Sequence, residues 1–162
     1  MASSASDSPL PQLRASVADG RAQNSRFKQK QLQSLHAELL VQADAICAVM
    51  ARESPNSAAE VETEFYLTMA ALRHFYESID SAQDLKEEYL VTKGVDNTQR
   101  RVGAGLVVIR PTYYTMLYSI ICPIAAAIAA GNCILLEVYS SSPKYSGRSL
   151  RFATAPRYLF QS

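Results

Sequence analysis

Tryptophan is absent from this 162-residue chain, and histidine, cysteine and glycine are scarce, at two, three and six residues. Each shortage excludes something. Cys47, Cys122 and Cys133 are an odd set without a Cys-x-x-Cys pair, so neither a disulfide framework nor a zinc site is expected; they read as three buried thiols in a reducing, cytoplasmic compartment. His36 and His74 have no cysteine or carboxylate at ligand spacing, so no metal site is expected. Gly103 and Gly105 form a lone pair ahead of an apolar run, whereas a dinucleotide fingerprint follows its strand. A net charge of +1 supplies no basic surface for nucleic acid or an anionic membrane. Met1 to Pro11 has no apolar core, so it is not a secretory signal, and 1–9 reads as a disordered tail.

Charge is missing altogether between Arg110 and Glu137. That interval is long enough to cross a bilayer. However, Pro111 fixes its start, Pro123 lies inside it and Gly131-Asn132 stops a helix near its end, so a membrane span is not expected.

What is present, 48% hydrophobic and 19% charged residues, fits one globular domain rather than a disordered chain. Leu10, Leu13 and Val17 mark a short helix that Gly20 can end in a left-handed cap. Ser25 reads as the N-cap of a longer helix striped by Phe27, Leu32, Leu35, Leu39 and Leu40. The stripe continues past a bend near Gln42, through Ile46, Val49 and Met50, to Ser54-Pro55. A third helix is predicted from Ser57 or Ala58 to about Ile79, which makes 10–80 a helical segment. Tyr89 to Thr92 reads as a strand paired with Thr98 to Val102 across Asp96-Asn97, a hairpin arm over 86–103. Leu106 to Ile109 and Cys133 to Val138 are solidly apolar strands, expected to be covered on both faces and joined by a helix from roughly Tyr114 to Ala130. A final helix is predicted from Pro143 to about Ala155. The fold class is α/β: N-terminal helices, then a partial doubly wound, Rossmann-like β-α-β unit with an incomplete parallel sheet.

Four segments then fall in a telling order. Arg26 to Leu32 resembles the long N-terminal helix of class 3 and fatty aldehyde dehydrogenases. Gly105 to Pro111 is similar to their first nucleotide-binding strand, and Ala126 to Asn132 to the helix end that follows it. Ala155-Pro156-Arg157-Tyr158-Leu159 is similar to their Pro-x-Tyr-Leu. The resemblance implies that 104–162 is part of an NAD(P)-binding domain, in a family that oxidises aldehydes to carboxylic acids.

The same resemblance implies lost chemistry. The family's Trp-Asn motif lends an asparagine to the oxyanion of the thiohemiacetal, and losing such a donor costs about 2.7–4 kcal/mol of barrier. Thr112 and Tyr113 stand there, with Tyr113 at the asparagine position; Tyr113, Tyr114 and Tyr118 read as a helix start packed on a neighbour. The family's Lys-Pro-Ser-Glu, which holds the adenosine ribose, is matched by Glu137-Val138-Tyr139-Ser140. Glu137 could accept from a ribose diol and would repel a 2′-phosphate, favouring NAD over NADP. Ile109, Pro111, Thr112, Glu137 and Ser140 are therefore the candidate cofactor residues, with NAD binding weak or lost and no metal. The family's nucleophilic cysteine and general base belong to segments not found in this sequence, and Cys122 and Cys133 read as core. The expectation is a truncated, catalytically inactive relative; the alternative is a nucleotide-binding or regulatory module that pairs with itself or with a full-length homologue through exposed sheet edges.

Overall fold

Several of the helices begin where short polar side chains accept from free backbone N–H groups, and some end at glycines in the left-handed conformation. The computed structural model describes residues 10–95, 101–112, 114–139 and 149–154. Helix α1 (Leu10–Ala18) is followed by Gly20 at φ 66°, the left-handed position expected, and a 3-10 turn over Arg21–Gln23. Asn24, not Ser25, caps α2 (Ser25–Val41): its side chain accepts from the Phe27 N–H at 3.1 Å. The chain bends by 71° at Gln42 into α3 (Ala43–Glu53). Helix α4 (Ala58–Glu77) opens with a capping box, in which Ser57 Oγ accepts from the Glu60 N–H and the Glu60 carboxylate accepts from the Ser57 N–H at 2.7 Å. The Ser57 N–H, and after it the Ser57 hydroxyl donating to the same oxygen, hold the Glu60 carboxyl below the usual carboxylate range.

The hairpin expected over 86–103 gives way to a helix. Residues 89–92 belong to α5 (Ser81–Thr92), and 101–104 are not strand; 96–100 lie outside the described residues. Asp80 starts α5 by accepting from the Ala82 and Gln83 N–H groups, and Gly94 at φ 74° closes it, its N–H donating to the Val91 carbonyl and the Val95 N–H to that of Leu90. Two good caps on a twelve-residue helix outweigh the strand preference of Tyr89, Val91 and Thr92.

Strand β1 (Leu106–Ile109) pairs in parallel with β2 (Cys133–Tyr139) through α6 (Tyr118–Ala129), the crossover unit read from the sequence. Alpha-helix thus accounts for only part of the charge-free interval, and among the described residues no single helix is long and apolar enough to cross a membrane. The predicted last helix is overturned over its second half: Ser149–Thr154 is a strand, β3, antiparallel to β2 from Ile134↔Thr154 to Tyr139↔Ser149. It gives β2 the backbone partners that a central strand requires on its second side. The sheet, in order β1-β2-β3, is therefore mixed rather than parallel.

Alternation along the strands places two cores. Val107, Ile109, Ile134 and Leu136 meet α6, α2 and α4 through Ile121, Ile124, Leu32, Leu35 and Leu72. Leu106, Cys133 and Leu135 meet Leu13 of α1 and Ala22. This second layer stops short of the strand ends. Val108 is 51% exposed, so the expected double covering of β1 is incomplete.

Candidate functional site

The C-terminal ends of parallel strands leave a crevice where α/β proteins bind ligands. Here that edge is built by Val108, Arg110, Pro111 and Thr112 after β1 and by Glu137 on β2. Leu106, Val108 and Arg110 alternate onto the α1 side of the sheet, as do Cys133, Leu135 and Glu137 on the neighbouring strand. Arg110 Nε consequently donates to Glu137 Oε2 at 2.7 Å. The two ends differ sharply, because the Glu137 side chain is 8% exposed and that of Arg110 is 65% exposed. The carboxylate is almost out of solvent, while the guanidinium bonded to it stays largely exposed.

Of the residues expected to bind a cofactor, Ile109 is part of the core under α6. Pro111 is half-buried and leads into an exposed Thr112. Thr112 is fixed by its backbone: its N–H donates to Ser119 Oγ and its carbonyl accepts from that hydroxyl, both at 3.2 Å. Tyr113 and Ser140 lie outside the described residues. Tyr114 is 89% exposed, so it does not pack on a neighbour as expected. Tyr118 is surface-lying, and a hydrogen bond with Cys122 one turn on pushes its hydroxyl up.

Sequence reasoning missed Glu64. It is buried on α4, and its Oε1 accepts from the Leu117 N–H at 2.8 Å and the Tyr118 N–H at 3.0 Å, at the start of α6. The detectable signal was an acidic residue among Val61, Thr68 and Leu72 on the buried side of its helix.

The cysteines do not resemble nucleophiles. Cys133 is buried at the start of β2, and burial pushes its thiol up. Cys47 and Cys122 are half-buried rather than buried; on Cys47 burial, then Asp44 and Glu62, raise the thiol. Catalytic cysteines are depressed instead, by cations or helix N-termini. Among the described residues no group of three His, Cys, Asp or Glu side chains could hold a metal ion. A cleft of about 700 Å³ lies elsewhere, between the start of α2 and α5, lined by cations (Arg26, Lys28, Arg101) and acids (Asp84, Glu87, Glu88) alike. A shallower hollow of about 370 Å³ between α2 and α4 carries His36, Arg73 and Tyr76 over a Leu32–Leu72 floor.

A family model described as "Aldehyde dehydrogenase family" matches residues 14–155. The chain is 30% identical over 160 residues to aldehyde dehydrogenase family 3 member B1 of Mus musculus, an alignment that covers 94% of this chain and 33% of that protein. Its counterpart in Rattus norvegicus is 30% identical over 159 residues, with the same shares covered. The chain spans about a third of the length of the curated relatives it matches. No solved structure matches it.

Proposed function

Because the chain belongs to the aldehyde dehydrogenase family, we propose that β1–α6–β2 corresponds to the opening of the family's NAD(P)-binding domain, and that this chain by itself is a non-catalytic member whose hold on NAD is weak or lost. One observation carries the reading: where the family's ribose-binding lysine would stand, Glu137 is sunk in the sheet and its Oε2 is held by Arg110 at 2.7 Å. A ribose diol would have to compete with a charge-assisted bond for a carboxylate that is almost out of solvent. The lysine's donor is thereby lost to an acidic residue, and the motif's closing glutamate is matched by Ser140. These residues do not fit a dinucleotide. Oxidation of an aldehyde would also need a thiolate, whereas Cys47 and Cys133 are held toward the thiol.

A thermal melt of the 162-residue chain with and without NAD tests this. A one-site ligand at 100 times its Kd adds about 2.7 kcal/mol, several degrees for a domain of this size. Excess NAD should leave the transition where it is. A shift of several degrees that disappears in Glu137→Ala would reverse the binding half of the proposal. NADH formation from an aldehyde, lost on replacing one cysteine by serine, would reverse the catalytic half.

A second reading, association through a sheet edge, is favoured by β1. Its Leu-Val-Val-Ile outer edge has no neighbouring strand among the described residues. Such an edge is a template for another chain, either a second copy or a full-length homologue.

A further inference from the structure

Helix α6 begins without a cap of its own. Its N-cap position is Leu117, in helical conformation, with no side-chain bond to the first turn. The first N–H groups of a helix need acceptors, and the aligned peptide dipoles leave that end positive. Both needs are met from another helix, fifty-three residues earlier in the chain. Glu64 Oε1 lies 2.8 Å from the Leu117 nitrogen and 3.0 Å from that of Tyr118. A carboxylate buried in a helix interior is costly unless it is hydrogen-bonded, and no local preference of α4 calls for one there. Glu64 thus sits where an anionic ligand would sit at a free helix N-terminus.

The consequence reaches the strand ends. In the first turn of α6, the Ser119 hydroxyl accepts from the Thr112 N–H and donates to the Thr112 carbonyl. The segment that leaves β1 is therefore tied to the first turn of α6, and that turn is tied to α4. We propose that Glu64 is a positioning residue: a charged cap supplied by the helical layer, which fixes where α6 starts and so where the strand-end residues Arg110 to Thr112 lie. This goes beyond the proposed function and holds whether or not the strand ends keep any affinity for a nucleotide.

Amide hydrogen exchange on the full chain tests it. Glu64→Ala should speed exchange at Leu117 and Tyr118 by about tenfold or more, the usual worth of hydrogen bonds to a charged group. Thr112 should follow, while amides in the middle of α4 and α6 change much less. Glu64→Gln keeps an acceptor without its charge and should lose less. Acetate, a free carboxylate, should restore protection in Glu64→Ala where chloride at the same ionic strength does not; a packing role would not respond to it. Unchanged Leu117 and Tyr118 amides, a loss spread evenly over α4 and α6, or no difference between acetate and chloride would each overturn the proposal. If Glu64→Ala does not fold, its recovery on refolding in acetate but not chloride supports the cap, and equal outcomes in the two salts refute it.

Discussion

Glu64 and Glu137 are both buried carboxylates, and each is answered by a different kind of positive charge: a helix end for Glu64, a guanidinium for Glu137. The Arg110–Glu137 pair is lopsided, and the lopsidedness sets what mutation should do. Arg110→Ala takes the guanidinium from a carboxylate that water hardly reaches, which should cost about 1–3 kcal/mol. Glu137→Gln keeps a hydrogen-bond acceptor beside an arginine whose side chain is already 65% exposed to water, so it should cost clearly less. Urea denaturation of both variants measures the difference, and equal losses would mean the asymmetry carries no energy. Glu60 makes a separate, pH-dependent contribution. Its capping-box bonds lower its folded-state pKa, so the folded state binds its proton less readily than the unfolded chain. That stability is fully present above the ordinary carboxylate range and is lost as pH falls through the depressed value. Glu60→Gln should therefore flatten the acid limb of Tm against pH; an unchanged limb would remove Glu60 from the account.

At the scale of elements, the turn between α6 and β2 is the tightest joint in the fold. Gly131 at φ 79° and the Asn132 N–H close α6 with bonds to Ile128 and Ala127, while Asn132 Oδ1 accepts from the Gly105 N–H at 3.0 Å. Gln23 bridges across, donating to the Gly131 carbonyl and accepting from the Gly103 N–H. A Cβ on Gly131 would come within 2.9 Å of Gln23 Oε1 and 3.1 Å of the Ala22 carbonyl, whereas one on Gly20, at φ 66°, would meet nothing within 4 Å. Gly20→Ala should cost only the left-handed conformation, about 1–2 kcal/mol, and Gly131→Ala more than that. Thermal denaturation of the two variants ranks them, and an equal loss would show that the Gln23 bridge yields freely. This joint also shows what was legible in the sequence. Ala126 to Asn132 announced both the end of α6 and the start of β2, because a glycine stop and an apolar run are local signals. The helices through Glu77 were legible for the same reason, down to the bend at Gln42. Residues 89–92 were misread because β-branched residues were weighed above Asp80 and Gly94, the caps that frame α5. Strand β3 was misread because Pro143 suggested a helix start, whereas its pairing is set by the open side of β2, a tertiary demand. At the site, Glu137 and Thr112 were identifiable as positions on a strand-helix-strand unit, but their partners were not. Arg110 reaches Glu137 through parallel register, and Glu64 reaches α6 across fifty-three residues, neither of which any local spacing records.

For the molecule as a whole, the question is what the sheet does with its β1 edge. Its α6 side is covered by a continuous core, and β2 has partners on both sides. Strand β1 is different: Leu106 to Ile109 contains no charge, proline or glycine, the residues that usually discourage pairing at an edge, and Val108 is half-exposed on the thinly covered face. Four residues pair weakly alone, so association through this edge should be reversible and concentration-dependent rather than a fixed dimer. Sedimentation velocity over a dilution series should show the weight-average mass rising with concentration, with and without NAD. Val108→Lys places a solvated charge on the exposed side of that strand, away from the α6 core, and should bring the mass back to that of one chain while leaving the circular dichroism and the melt nearly unchanged. A wild-type chain that stays monomeric at every concentration, or a lysine variant that associates as before, would show that β1 is not the contact. If the mass falls as expected, the same variant should also fail to co-sediment with a longer relative, because that partner would dock on the same β1 edge, which has no neighbouring strand among the described residues.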